Sequence, residues 1–174
     1  MQQACSVGCA IVLSKDKLRA EATAKAKAER KADRAKLESM KTIPQLKAEA
    51  QQAFNAFIRE RDKQAGFPCI SSGKPLNWNG NDVDAGHYRS TGSADHLRFN
   101  EDNCHAQSKQ ENRYRAGSAV DYRIGLIKRI GLARVEALEA DNAVIKWTRG
   151  GLIAIKKRYQ AKLKELLKAR EDAC

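Results

Sequence analysis

Val83–Arg113 reads VDAGHYRSTGSADHLRFNEDNCHAQSKQENR and holds all three histidines of the chain, His87, His96 and His105. It also carries Asp84, Asn103 and Asn112. The segment Asp82 to Arg89 predicts a strand, and His96 to Phe99 predicts a second, the two forming a hairpin or a longer β-loop. From His105 to about residue 116 the pattern predicts a helix that stops at Gly117. His, Asn and Asn then lie in that order on strand, loop and helix. The expected fold class is α+β, mostly helical, with a small hairpin-plus-helix core between long N- and C-terminal helices.

That layout resembles the His-Asn-His/Asn (HNH) nucleases with a ββα-metal fold, and the residue types suit the chemistry. A histidine at a strand end, His87, can take a proton from water, because imidazole titrates near neutrality. A middle asparagine, Asn103, can hold the loop or the imidazole in the required tautomer. Asn112 on the following helix helps bind a divalent cation, which stabilises the pentacovalent phosphate and the leaving 3′ oxygen. Asp84 adds a hard oxygen ligand suited to Mg²⁺ or Mn²⁺. His105 either touches metal or phosphate or caps the helix start, and His96 is structural or exposed. Arg89, Arg98 and Arg113 are candidate DNA phosphate contacts or solvated surface charges.

In zinc-bearing members of this nuclease class, one Cys-x-x-Cys precedes the hairpin and another opens the metal helix. Here Cys69-x-x-Ser72 and Ser108-x-x-Glu111 stand in those places. Four thiolates would make a closed structural site, whereas serine is a very poor zinc ligand at neutral pH. Structural zinc is therefore expected to be absent.

Outward from this core the chain is helical. Residues 14–41 are rich in Ala, Lys, Arg and Glu, strong helix formers with no wide apolar face, and read as a basic solvated helix or a phosphate-tracking arm. Thr42 and Pro44 start an amphipathic helix over about 44–64 whose apolar positions are Leu46, Ala50, Ala53, Phe54, Phe57 and Ile58. Val120, Ile124, Ile127 and Ile130 form a stripe ended by Gly131. Leu132, Val135 and Leu138 make a short second helix, and Thr148 caps the last one. The 174 residues leave room for one ordinary domain plus extensions. Lys and Arg number 33 against 21 Asp and Glu, a net charge of +12 that points to a polyanionic partner, DNA or RNA. No long apolar run predicts a membrane span, and no basic leader precedes a cleavage site. Five cysteines, Cys5, Cys9, Cys69, Cys104 and Cys174, are an odd number that favours thiols or metal over disulfides in a reducing, cytoplasmic compartment.

The segments CISSGKPLNWNGNDVDAGHYRSTGSADHLRFNEDNCHAQSKQENRY, GSAVDYRIGLIKRIGLARVEALEADN and KWTRGGLIAIKKRYQAKLKEL resemble the phage NinG family, the group containing the lambdoid recombination protein Rap. The resemblance covers roughly residues 50–168. It implies a DNA recombination protein of the bacterial host cytoplasm, with structure-selective cleavage of branched DNA such as Holliday junctions or D-loops. Carried over by position, it supports Asp84, His87, Asn103, His105 and Asn112 as the site. It implies residues 1–13 as the remnant of a Cys knuckle, 14–41 as the basic helix, and 42–174 as a NinG-like domain with its core at 69–116 and C-terminal helices at 118–171. Partners are branched DNA and phage recombination proteins, and the two cuts of junction resolution favour a homodimer.

Three departures stand out. Ser72, Ser108 and Glu111 replace cysteines, Cys5-Ser6-Val7-Gly8-Cys9 resembles only the later half of a knuckle, and Gly150-Gly151 replaces an acidic helix start. Together they suggest a truncated or decaying prophage copy. The competing reading is a non-catalytic basic DNA-binding protein that has lost its clasp. A third, a purely structural helical protein, fits the charge and the retained Asp/His/Asn set less well.

Overall fold

A computed structural model describes residues 6–114 and 118–172. By internal contacts the chain divides into residues 1–42 and 43–174. In the first unit a single helix, α1, spans Val7–Met40. Ser6 caps it, its hydroxyl accepting from the Cys9 N–H at 3.3 Å. The helix thus begins earlier than residue 14, and Cys9 lies in its first turn; Cys5, the other cysteine of the expected knuckle remnant, is outside the described residues. None of its described residues is buried, so its helicity rests on Ala, Lys, Arg and Glu propensity over a long run.

The second unit is mostly helical with one small antiparallel sheet. Its elements are α2 (Ile43–Gln64), β1 (Val83–His87), β2 (Cys104–Ser108), α3 (Ala119–Ile130), α4 (Leu132–Ala140) and α5 (Arg149–Asp172). α2 packs along α5, burying Leu46, Ala50, Phe54, Phe57 and Ile58 as the periodicity predicts. Phe54 makes edge contacts with Phe99 and Tyr159, at centroid distances of 5.8 and 4.8 Å. Thr148 caps α5 by accepting from the Gly151 N–H at 3.1 Å, and Gly131, at φ 86°, separates α3 from α4.

Two sequence expectations fail around the sheet. Residues 96–99 are not a strand. Asp95–Leu97 is a 3₁₀ turn, and the Leu97, Arg98 and Asn100 N–H groups bond carbonyls three residues back. The second strand is Cys104–Ser108, where a helix was expected to begin; Val83 pairs with Ser108 and His87 with Cys104. Cys104, His105, Ala106 and Gln107 are all buried. Both faces of β2 are covered, so no polar alternation marks it. The expected helix shrinks to one wide turn, Gln110–Tyr114; residues 115–117 lie outside the described residues.

Candidate active site on the hairpin

The clasp positions meet. Cys69 opens a tight turn in which its carbonyl accepts from Gly73 N–H and its own N–H reaches the Lys74 carbonyl, both at 2.9 Å. Its sulfur accepts the backbone N–H of Ser108 at 3.4 Å. Burial pushes the Cys69 thiol up, but hydrogen bonds from Ser72, Ser108 and Ser71 outweigh this and leave it below its ordinary range. Ser108 Oγ accepts from the Glu111 N–H at 3.3 Å, and Ser118 Oγ donates to the Glu111 carboxylate at 2.8 Å. The donor set is one thiol, two hydroxyls and one carboxylate, tied together by hydrogen bonds. It does not fit a closed zinc site, which needs several thiolates or imidazoles.

Beside this turn, the proposed cation ligands touch. Asp84 on β1 accepts Nδ2 of Asn112 at 3.1 Å, and the same carboxylate oxygen accepts Nε of Arg113 at 3.1 Å. A carboxylate and an amide provide hard oxygens once the Asn112 amide turns its oxygen inward. Among the described residues no cluster of three His, Cys, Asp or Glu could hold a metal. The pair still fits Mg²⁺ or Mn²⁺, because Mg²⁺ keeps several waters and uses one or two carboxylates together with substrate phosphates.

His87 belongs to a separate set of contacts. Strand alternation turns Ala85 and His87 toward α2 and Asp84 and Gly86 to the other face. His87 Nε2 lies 3.0 Å from the Arg98 carbonyl. A carbonyl only accepts, so Nε2 carries the proton and Nδ1 the lone pair. That lone pair faces Cys104 Sγ at 3.7 Å. Burial lowers the His87 pKa, the Arg98 carbonyl opposes this, and the Arg98 charge adds to it. Burial drives the Cys104 thiol far up, so it stays protonated and is a weak S–H donor.

Asn103 holds the loop, not the imidazole. Fully buried, it accepts the Arg89 N–H at 2.8 Å and donates to the Arg89 carbonyl at 2.9 Å and the Leu97 carbonyl at 3.3 Å. These bonds close residues 88–103 into a fixed excursion between the strands.

His105 stands apart from Asp84 and Asn112. Its Nδ1 takes a hydrogen bond from Arg61 at 3.0 Å, and its Nε2 donates to the Asp102 carbonyl at 3.2 Å. With β2 in place of a helix start, the capping role also lapses. Arg89 and Arg98 are engaged by acceptors within the protein. Arg89 donates to the Leu138, Glu139 and Asp141 carbonyls and caps α4. Arg98 binds Asp95 at 2.6 Å, Gln51 at 3.1 Å and the Thr91 carbonyl at 3.1 Å. His96 joins the same α4 end through the Asp141 carbonyl at 3.0 Å. Of the three arginines, only Arg113 keeps a largely exposed side chain.

The comparisons with known proteins agree with one another. The family described as Bacteriophage Lambda NinG protein matches residues 1–171. The chain belongs to the NinG family. It is 47% identical to Protein ninG of Salmonella phage P22 over 127 residues, 72% of this chain and 59% of that protein. Against Protein ninG of Escherichia phage lambda the identity is 46%, again over 72% of this chain and 59% of the relative. The chain thus spans about three-fifths of the length of these relatives. No solved structure matches.

In this NinG-family chain a group that the sequence reading missed supports the hairpin. Asp62, fully buried, accepts the Ala106 N–H at 2.7 Å and Arg61 Nε at 2.7 Å, with Arg129 at 3.5 Å. Burial pushes its carboxyl up, but Arg61 and the Ala106 N–H outweigh that and hold it at about 2. Together with Ile70, whose N–H bonds the Ala106 carbonyl, Asp62 covers the open edge of β2. A signal existed: Asp62 continues the buried stripe of α2 four residues after Ile58, where a carboxylate is out of place unless paired.

Proposed function

We propose that this NinG-family chain is a DNA recombination protein, a metal-dependent endonuclease acting on branched DNA. The observation that carries the reading is the contact of Asp84 with Asn112 across the clasp turn, on the same hairpin that ends in His87. The net charge of +12 suits a polyanionic substrate. Hairpin and wide turn are read as a ββα-metal (HNH-like) core whose helical arm is reduced. Asp84 and Asn112 would hold Mg²⁺ or Mn²⁺, which when bound supplies charge neutralisation at the scissile phosphate. Arg113, exposed and resting on Asp84, is the arginine placed to meet a phosphate.

His87 is the base of this scheme. Its proton is held at Nε2 by the Arg98 carbonyl, and Nδ1 accepts a proton from water. The lowered pKa keeps Nδ1 unprotonated at neutral pH. The weak S–H donor of Cys104 is what an entering water displaces. Activity in the host cytoplasm, two-fold action on junctions as a homodimer, and phage recombination proteins as partners belong to the same proposal.

A second reading has its own observation. The His87 lone pair faces a buried thiol, and the clasp is held by hydrogen bonds. Those features suit a non-catalytic DNA-binding protein. Titrating Mg²⁺ and Mn²⁺ against cleavage of a four-way junction separates the two. Metal-dependent nicking supports the endonuclease; binding of the junction without cleavage in either metal supports the second.

A further inference from the structure

Between α2, α5 and the turn that leads into β1 lies an open groove of about 420 Å³. Trp78 stands on one side, Leu163 and Leu167 line another, and Arg59 and Lys63 edge it from α2. Among the described residues neither Arg59 nor Lys63 is paired with a carboxylate. The groove's own carboxylate, Glu60, is already engaged by Arg170 at 3.1 Å and Gln64 at 2.9 Å.

Trp78 is presented, not packed. It is half-buried, and among the described residues its ring has no aromatic neighbour and its N–H no hydrogen-bond partner. Trp147 gives the contrast, with its N–H on Asp95 at 2.7 Å and its ring against Phe99. The turn bearing Trp78 is braced on both sides. Asn77 accepts the Asn79 N–H at 3.1 Å, its amide donates to Asp82 at 2.9 Å, and Gly80 at φ 99° closes the turn. The backbone of a braced turn loses little conformational freedom when a ligand covers the side chain it bears.

A flat aromatic face beside two uncompensated cations is the chemistry that holds an unstacked base and its phosphates. Duplex DNA offers no free base face to such a group, whereas an unpaired segment does. We infer that the Trp78 groove is a stacking platform for an unpaired stretch of DNA. The inference rests on the DNA reading of the protein and names which part of a branched substrate this surface takes. Val83 lines the groove from the face of β1 turned toward α2, and the next residue, Asp84, is turned to the opposite face.

The test is equilibrium binding of the full chain to a labelled short oligothymidine, to a matched duplex and to a four-way junction. Stacking of one base predicts that Trp78→Ala weakens oligothymidine binding about tenfold or more, while Trp78→Phe keeps most of it. Duplex affinity should move less than about twofold for either variant. Arg59→Ala should lower the slope of log K against log salt by about 0.7 on the single strand, and Trp78→Ala should leave it unchanged. Unchanged oligothymidine affinity in Trp78→Ala overturns the platform. So does an equal loss on oligothymidine and duplex, or a Trp78→Phe variant as weak as the alanine. If the wild-type chain cuts the junction but shows no Trp78 dependence, the platform fails and the endonuclease stands. If Trp78-dependent binding is found without cleavage, the platform stands and the endonuclease fails.

Discussion

The backbone N–H of Ser108 donates to the sulfur of Cys69 at 3.4 Å. Residues separated by the whole hairpin thus meet where two Cys-x-x-Cys halves would face each other. Here hydrogen bonds from Ser71, Ser72 and Ser108 surround the single thiol.

That contact sets the first prediction. Purified protein should carry no tightly held zinc. The combined Ser72→Cys, Ser108→Cys and Glu111→Cys variant should bind about one zinc per chain, because the four positions already converge. Elemental analysis and thermal melting check this. No zinc uptake and no rise in Tm by the triple variant would mean that the clasp is misplaced.

Acid sensitivity should show two windows. His87 and His105 both have pKa values lowered by burial, so the folded chain binds fewer protons there than the unfolded chain. Their contribution is complete above the ordinary histidine pKa of about 6.5 and is lost as pH falls below it. Asp62, held at about 2, contributes above the ordinary carboxylate pKa of about 3.9, and this is lost as pH falls toward about 2. Urea midpoints measured against pH should decline first below about 6.5. His105→Gln should flatten that upper part, and a midpoint unchanged between pH 7 and 5 would contradict the buried neutral histidines.

Removing Asp62 should be among the most damaging single changes. Asp62→Ala leaves Arg129 buried beside no carboxylate and the Ala106 N–H without its acceptor. Breaking a buried pair by removing one partner costs about 3–5 kcal/mol. Urea unfolding reads this directly, and a loss under about 1 kcal/mol would show that the network is not holding the β2 edge.

The buried faces of α2 and α4 were legible in the sequence, since they recur at helical spacing; that of α3 was not, because Val120 and Ile124 of the expected stripe are exposed and Tyr122 and Leu126 are the buried positions. Leu46 to Ile58 in α2 and Val135 with Leu138 in α4 are buried as read. β2 was not legible. Its strand carries Cys, His, Ala, Gln and Ser, weak strand formers, and α2 and the Cys69 turn cover it from positions remote in sequence. Asp84 and Asn112 could be paired by motif order. The occupation of Arg89 and Arg98 could not be, because their acceptors lie on α4 and in the connecting loop, fixed only by tertiary packing. For Asn103 the motif leaves loop and imidazole open, and its bonds to the Arg89 backbone decide for the loop.

If Asp84 holds a cation as proposed, Arg113 would compete with it for that carboxylate. It is 60% exposed, and exposed ion pairs contribute at most about 1 kcal/mol. Arg113→Ala should therefore lower the Mg²⁺ or Mn²⁺ concentration needed for half-maximal cleavage by up to about fivefold. Asp84→Ala and Asn112→Ala should raise it and be partly rescued by excess metal. A metal titration of the three variants checks both directions, and identical midpoints would remove Asp84 and Asn112 from the cation site.

The most direct test of the account is cleavage of a four-way junction in Mn²⁺ by wild-type chain and His87→Ala side by side, with junction affinity measured in the same samples. A general base acts in the transition state and adds little to ground-state binding. Wild type should therefore nick the junction, while His87→Ala loses at least about 100-fold in rate with affinity changed less than about twofold. A wild-type chain that binds the junction and cuts nothing in Mg²⁺ or Mn²⁺, or a His87→Ala chain that cuts as fast as wild type, would contradict it.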